Sequence, residues 1–231
     1  MFGVISLQRI IMHIDVNSAF LAWQATYDIQ AGSKIDLREI PSAVGGSQAD
    51  RRGIILAKST PAKKYGVETG ETIWQAQQKC PNLTIVPPNH NLYMKCSNAL
   101  YAILQEHFAE VQRFSVDECF CNYTGQQKIC GDPVNYATAL KDKIKQNLGF
   151  TVNVGIGPNK LLAKMAGELK KPDMVNTLMT EQEMKAKMWP LPIRELFMCG
   201  AASERKLKDL AIYTIGDLAK VNPDTLKYKL K

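Results

Sequence analysis

The spacing of apolar positions along the chain alternates between a strand period and a helix period. Apolar, β-branched runs of strand length predict strands at 9–16, 53–59, 110–116, 119–124 and 150–157. Apolar residues at helical spacing predict helices at 19–30, 60–66, 71–80, 91–106, 132–148 and 159–170. Residues 83–87 are predicted to form a short strand or an extended entry to the next helix.

Six of these elements, taken in chain order, form a β-α-β-β-α-β series. They are the strand 9–16, the helix 91–106, the strands 110–116 and 119–124, the helix 132–148 and the strand 150–157. This is the order of the ferredoxin-like split unit, and a mostly helical insertion at 17–82 interrupts its first connection. The predicted fold class is therefore α+β.

A carboxylate, Asp15, stands at the tip of the first predicted strand. Only Asp117 and Glu118 separate the strands that follow the second connection, which predicts a tight hairpin. In the split arrangement the third strand lies between the first two, so we expect the three carboxylates to meet. Their repulsion must be neutralised by protons or cations, and hard cations, Mg²⁺ above all, bind oxygen ligands.

The alternative for these three residues is structural. Asp15 would cap the helix that follows it, and Asp117 with Glu118 would form an ordinary turn. Any one of the residues alone favours this alternative. The topology that joins all three favours a metal site, in which two ions about 3.5–4 Å apart act on a phosphoryl transfer.

Two basic segments are candidate phosphate sites. In "AKSTPAKKYG", Thr60 is the predicted helix cap and offers a hydroxyl, while Lys63 offers a charge. Taken alone, this run favours a solvated basic helix. After Gly157 and Pro158, Lys160 lies in the first turn of the next helix, where a cation opposes the helix dipole and a bound anion would explain it. The spacing is not that of a Walker A loop.

The segment "LPIRELFMCGAASERKLKDLAIYTIGDLA" (191–219) predicts two short helices joined by a turn at Gly200, followed by a third helix. A helix-hairpin-helix would present backbone N–H groups to a DNA phosphate. A plain helical hairpin in a small helical domain agrees with the spacing equally well, so both interpretations stay open.

Composition narrows the function classes. A formal net charge of +7 over 231 residues mildly favours a polyanionic partner. The six cysteines have no C-x-x-C spacing and there are only three histidines, which excludes the common zinc and redox motifs. We expect reduced, mostly buried thiols in a cytoplasmic protein, with no secretory signal, no membrane span and no membrane partner.

Five motifs, in this order, resemble the Y-family of translesion DNA polymerases, most closely its bacterial DNA polymerase IV branch. They are "HIDVNSAF", "AKSTPAKKYGVETGE", "SVDECF", "VGIGPNKLLAKMAGELKKPD" and "LPIRELF" with "TIGDLA". The resemblance covers almost the whole chain. It implies a palm at 1–17 and 83–170, fingers at 18–82, and a helical thumb at 171–231 with a helix-hairpin-helix-like motif. The family's little-finger domain is expected beyond Lys231, outside this sequence.

The resemblance also implies a role for each motif position. Asp15, Asp117 and Glu118 would be catalytic and bind metal, with the Val16 carbonyl as an added ligand. Phe20 would be the steric gate under the incoming sugar, although its position in the sequence, taken without the motif, favours core packing. The other implied contacts are Thr60, Lys63 and Lys160 to the dNTP triphosphate, and Gly200, Ala201 and Ser203 to DNA. Four positions depart from the family pattern: Asn17 stands in place of a frequent Asp, Ala19 in place of the usual aromatic, Thr60 where some members have Tyr, and Met198 in place of the usual Gly.

The predicted function is template-directed DNA synthesis of the translesion type. The primer 3′-OH would attack the α-phosphate of a dNTP, and two Mg²⁺ ions, or Mn²⁺, would stabilise the developing charge. The implied partners are primer-template DNA, dNTP and, through the region beyond this chain, a sliding clamp. The alternative is a polymerase-like scaffold that binds DNA or partners without chemistry. The acidic trio argues against it, and the C-terminal motif argues against a cyclase on the same split unit.

Overall fold

A computed structural model describes residues 8–46 and 53–229 of the chain. The chain forms two compact units. Unit 1 comprises Met1–Ile14, Phe120–Ala139 and Asn153–Lys231, and unit 2 comprises Asp15–Cys119 and Leu140–Val152.

Each element predicted between residues 9 and 170 has a counterpart in the structure. The strands are β1 Ile11–Val16, β2 Ser42–Gly45, β3 Ile55–Lys58, β4 Thr84–Val86, β5 Val111–Arg113, β6 Glu118–Asn122, β7 Val152–Gly157 and β8 Val175–Thr177. The helices are α1 Ala19–Gln30, α2 Thr60–Lys64, α3 Ile73–Lys79, α4 His90–His107, α5 Gln127–Cys130, α6 Pro133–Leu148, α7 Lys160–Leu169, α8 Glu181–Glu183, α9 Ala201–Lys208, α10 Ile215–Lys220 and α11 Pro223–Lys229. A π-helical turn spans Met184–Met188, and a 3₁₀ turn spans Ile193–Glu195.

The strand order confirms the predicted fold class. One sheet has the order β5-β6-β1-β7-β8, so the third strand of the βαββαβ series, β6, lies between β5 and β1. The Tyr123 N–H donates to the Ile10 carbonyl at 2.9 Å, and the Val16 N–H donates to the Asp117 carbonyl at 3.1 Å. Because the two bonds join opposite ends of the strands, β1 and β6 run antiparallel. Every residue of β1 and of β7 is buried, which explains their continuous apolar runs.

Within unit 1, helix α7 packs directly on the backbone of β7. A Cβ atom added to Gly155 would lie 2.0 Å from the Ala163 carbonyl oxygen, and one added to Gly157 would lie 2.5 Å from the Ala163 nitrogen. Only glycine leaves room for this approach. The strand "VNVGIG" therefore carries glycines at alternate positions for a packing reason that the apolar pattern did not indicate.

The insertion in unit 2 contains a small sheet as well as helices. Its strand order is β3-β2-β4, with β2 antiparallel to β3 and parallel to β4. Strand β2 was not predicted, because four residues are too few to establish a period. Buried side chains of the sheet and of α2 and α3 form its core, namely Ala43, Ile55, Ala62, Val67, Ile73, Ala76, Cys80 and Leu83.

The C-terminal part of unit 1 is helical, with one correction to the prediction. The segment before Gly200 was predicted as a short helix, but it forms only the 3₁₀ turn Ile193–Glu195, because Pro192 precedes it and the chain turns again at Leu196. Apolar side chains of this part share a core with α7 that includes Met165, Leu178, Met188, Ile193, Leu207, Ile212 and Ile215.

Two general expectations can be compared with the described residues. All six cysteines are thiols rather than disulfides, and Cys80, Cys119 and Cys121 are buried. Burial raises the pKa of the Cys119 thiol to about 11. Across 8–46 and 53–229, no helix combines the length and apolarity that crossing a membrane requires.

Candidate active site

The structure places Asp15 and Glu118 opposite each other on neighbouring strands. The hydrogen bonds that pair β1 with β6 join Ile10 to Tyr123 and Val16 to Asp117, and this register sets Asp15 across from Glu118. Directly opposed residues of an antiparallel pair share a face. Asp15 is only 7% exposed, while Asp117 and Glu118 are half-buried. The chain therefore brings the predicted carboxylates to one end of the same strand pair.

The hairpin that carries Asp117 and Glu118 differs from its prediction. Strand β5 ends at Arg113 and Glu118 already begins β6, so the turn is longer than the two residues expected. The Phe114 N–H donates to the Glu118 carbonyl at 2.9 Å and closes the hairpin. The Ser115 hydroxyl donates to Asp117 Oδ1 at 2.6 Å. Such local side-chain bonds compete with the strand ladder, which explains why β5 stops early.

The three carboxylates belong to residues at the same end of the β1 and β6 strand pair. Within the described part of the chain, no set of three or more His, Cys, Asp or Glu side chains is arranged to hold a metal ion. Carboxylate and carbonyl oxygens are hard ligands that suit Mg²⁺ or Mn²⁺. The carboxylates supply such oxygens, and the Val16 carbonyl follows Asp15 directly in the chain. The oxygen donors are therefore of the type that binds Mg²⁺ or Mn²⁺, but the described side chains are not arranged as a set of metal ligands.

The turn after β1 excludes Asp15 as a helix cap. Ser18 occupies the N-cap position of α1, with a left-handed backbone at φ 50° and no side-chain capping bond. The Asn17 N–H donates to the Thr151 carbonyl at 3.0 Å, and the Thr151 hydroxyl donates to Asn17 Oδ1 at 2.9 Å. These two bonds hold the turn that leads to Phe20.

Phe20 belongs to an aromatic cluster at the start of α1. Its ring is stacked on that of Tyr93, with centroids 4.5 Å apart and an interplanar angle of 8°. The His90 ring meets it edge-on at 6.3 Å, and the Trp23 ring lies 6.0 Å away. Phe20 itself is half-buried, so it packs against the core while part of its surface stays accessible.

The basic segment of α2 has a different cap from the one predicted. Ser59, not Thr60, is the N-cap, since its hydroxyl accepts a hydrogen bond from the Ala62 N–H at 3.1 Å. Thr60 is exposed as the first helical residue, and Lys63 is exposed in the last turn. Burial lowers the pKa of Lys58 most, and the positive charge of Lys63 lowers it further. The positive charges of Lys58 and Lys63 therefore act on each other.

Lys160 lies in unit 1, whereas the carboxylates and the α2 residues lie in unit 2. It is the first residue of α7 and is exposed, and its Nζ lies 5.9 Å from the centroid of the Phe120 ring. Asn159 caps the helix by accepting a hydrogen bond from the Leu162 N–H at 2.9 Å. The predicted position of Lys160 in the first helical turn is confirmed.

The predicted DNA-binding residues begin α9 in unit 1. Gly200 is its N-cap, and Ala201 and Ser203 are exposed in the first turn. Before them, Met198 adopts φ 71° and is 83% exposed. This is a backbone conformation that favours glycine. The Arg194 guanidinium donates to the Cys199 carbonyl at 2.9 Å and braces the turn.

Residues 14–168 match the model of the impB/mucB/samB family. The chain belongs to this family. The match covers more than half of the chain and spans the carboxylates, the aromatic cluster, the α2 segment and Lys160. The resemblance to Y-family polymerases inferred from the motifs is thereby confirmed.

Named relatives of this impB/mucB/samB family member are polymerases. DNA polymerase IV of Clostridium acetobutylicum is 48% identical over 97% of this chain and 56% of its own length. DNA polymerase IV of Acetivibrio thermocellus is 40% identical over 97% of this chain and 54% of its own length. The crystal structure of DinB from Sulfolobus solfataricus superimposes with a TM-score of 0.80 at 25% identity, over 96% of this chain and 63% of that one. The chain spans about half the length of these curated relatives.

Two residues that contact predicted site residues were not identified from the sequence. Tyr93 supports Phe20, and Ser115 holds Asp117, yet neither was singled out. Tyr93 lies two turns before Leu100 on the buried face of α4, so helical spacing could have found it as a core residue. No local signal joins it to Phe20, because the contact spans distant parts of the chain.

Proposed function

We propose that this chain is a template-directed DNA polymerase of the translesion type, which transfers a nucleotide from dNTP to a primer 3′-OH. The observation that carries the proposal is the register of β1 and β6, which sets the buried Asp15 opposite Glu118 with Asp117 beside it. A buried carboxylate is costly unless it is neutralised. The names of the relatives support the same activity.

Asp15, Asp117 and Glu118 would hold two Mg²⁺ ions, or Mn²⁺, with the Val16 carbonyl as a further ligand. When bound, such ions polarise the phosphoryl group and stabilise the attacking and leaving oxygens. The chain's own contribution is to hold the carboxylates in register and to fix Asp117 through the Ser115 hydroxyl. Convergence of the three side chains would accompany metal binding, since repulsion keeps bare carboxylates apart.

The dNTP triphosphate would be contacted by the hydroxyl and the basic side chains that the motifs indicated. Thr60 and Lys63 would contact the triphosphate, and the nearby Lys58 adds to the positive charge there. A cation in the first turn of α7 opposes the helix dipole, so Lys160 would be stabilised there by a bound anion, which in this proposal is the triphosphate. The half-buried ring of Phe20 would lie under the deoxyribose, where a 2′-OH would collide with it.

Primer-template DNA is the macromolecular partner in this proposal. The first turn of α9 offers backbone N–H groups at Ala201 and Ser203 after the Gly200 cap, and such groups bind phosphate without reading sequence. The net charge of +7 favours the same partner. A sliding-clamp contact through a region outside this chain, and a cytoplasmic location, belong to the proposal as well.

Primer extension tests the proposal directly. Glu118→Gln keeps the shape of the side chain but removes its charge, and we expect at least about a hundredfold fall in kcat, as for loss of a key electrostatic group. Glu106→Gln, an equal change at an exposed position of α4, is the matched control and should extend normally. Near-normal extension by Glu118→Gln would refute the assigned role. DNA binding without any extension by the unaltered protein would favour the scaffold alternative.

A further inference from the structure

The surface that supports the Phe20 ring is itself an aromatic ring. Tyr93 lies flat against Phe20, with a centroid separation of 4.5 Å and an angle of 8°. Tyr93 is 1% exposed, whereas Phe20 is half-buried. One ring of the pair is therefore fixed inside the molecule, and the other is the accessible one.

Several contacts hold the Tyr93 ring in place. The Trp23 ring lies 5.9 Å from it, and Trp23 in turn meets the Phe150 ring at 6.1 Å and 73°. Trp23 is fully buried. Tyr93 also lies in the first turn of α4, where Asn89 caps the helix by accepting a hydrogen bond from the Leu92 N–H at 3.1 Å. A long capped helix and a buried indole thus fix the position of this ring.

Phe20 has less support from its own helix. It is the second residue of α1, whose N-cap Ser18 makes no side-chain capping bond. Helix ends are where fraying begins, so the orientation of the Phe20 ring depends on what it packs against. Discrimination by shape tolerates little displacement, since groups in a working site must be held within about 0.5 Å.

The hydroxyl of Tyr93 is dispensable for this packing. Among the described residues it has no hydrogen-bond partner, although it is buried, and burial raises the pKa of Tyr93. The ring alone makes the contact with Phe20. A phenylalanine at this position would keep the stack, while an aliphatic side chain would remove it.

We propose that Tyr93 is a positioning residue for sugar discrimination: its stacked ring holds Phe20 where a ribose 2′-OH would collide. The inference rests on the proposed polymerase function. Tyr93 touches no substrate in this scheme and acts only through Phe20. Selectivity against ribonucleotides would then depend on a buried residue far along the chain from the gate.

The test compares kcat/KM for rNTP and dNTP in primer extension, together with melting temperature. Tyr93→Leu should raise the rNTP/dNTP ratio about three- to tenfold, the factor that corresponds to loss of a stacked aromatic pair. Tyr93→Phe should keep the ratio of the unaltered protein. Tyr101→Leu, the same change on the same helix away from Phe20, is the matched control and should leave the ratio unchanged even where it lowers stability. If Tyr93→Leu does not fold, Tyr93→Met takes its place with the same expectation.

A double variant separates positioning from general damage. In a Phe20→Ala background, Tyr93→Leu should change the ratio no further, because the gate on which it acts is gone. An unchanged ratio in Tyr93→Leu, with normal dNTP incorporation by the unaltered protein, would refute the inference and leave the polymerase function intact. Absence of any incorporation by the unaltered protein would overturn both.

Discussion

Replacement of Gly155 by alanine tests the contact between β7 and α7. The added Cβ would lie 2.0 Å from the Ala163 carbonyl oxygen, 2.3 Å from the Gly167 nitrogen and 2.8 Å from the Gly167 Cα. All three are backbone atoms, so no side chain can rotate away. Favourable contacts between heavy atoms lie near 3.5–4.0 Å, and the helix would have to move by more than about 1 Å to restore one.

The expected cost is at the upper end of that for overpacked cores, about 3 kcal/mol. For a chain of this size each kcal/mol lowers the melting temperature by about 2–4 °C, so Gly155→Ala should melt about 6–12 °C lower. Differential scanning calorimetry on the unaltered protein and the variant measures this. Gly167→Ala is the control. Its added Cβ would lie 3.3 Å from His13 Nδ1, a tight contact, but alanine favours a helix over glycine by about 1 kcal/mol. We therefore expect little net change in its melting temperature. A melting temperature of Gly155→Ala within about 2 °C of the unaltered protein would refute the close packing of α7 on β7.

Two further predictions concern charged side chains. Lys63→Ala should raise the apparent KM for dNTP and leave the Kd for primer-template DNA unchanged. The control, Lys64→Ala at the exposed neighbouring position in α2, should change neither quantity. A loss of DNA affinity alone in Lys63→Ala would contradict the triphosphate role. Burial would raise the pKa of Glu183, but hydrogen bonds from Lys187 and Thr177 outweigh it and lower the pKa to about 2. Because this is below the ordinary value of 4.5, the carboxylate stabilises the fold fully above about pH 4.5 and loses that effect as the pH falls toward 2. Melting curves from pH 7 to pH 3 should therefore decline more steeply for the unaltered protein than for Glu183→Gln, and parallel curves would refute the coupling.

Much of the local structure could be predicted from neighbouring residues. Helix α1 was predicted at its observed bounds, and α7 and β7 within two residues, because apolar spacing and turn residues act over a few positions. The strand β2 and the early end of β5 were missed. Both depend on which segments pair in three dimensions. A strand of four residues is too short to show a period, and a serine near an aspartate does not show where a strand ends.

The site divides in the same way. The type and order of its chemical groups, from Asp15 and Phe20 through Thr60, Lys63, Asp117 and Glu118 to Lys160, were evident from motifs in the sequence. The prediction that Asp15, Asp117 and Glu118 are neighbours followed from the topology of the split unit, and the register of β1 and β6 agrees with it for Asp15 and Glu118.

The sequence by itself determined most of the elements, the fold class and the residue types at the site, because capping, periodicity and turn chemistry are local. Only the tertiary structure decided which side chain supports which. The stack of Phe20 on Tyr93, the hydrogen bond from Ser115 to Asp117 and the approach of Ala163 to Gly155 are set by packing and hydrogen bonding in three dimensions. Such contacts arise when close-packed segments meet, and no spacing along the chain encodes their distance.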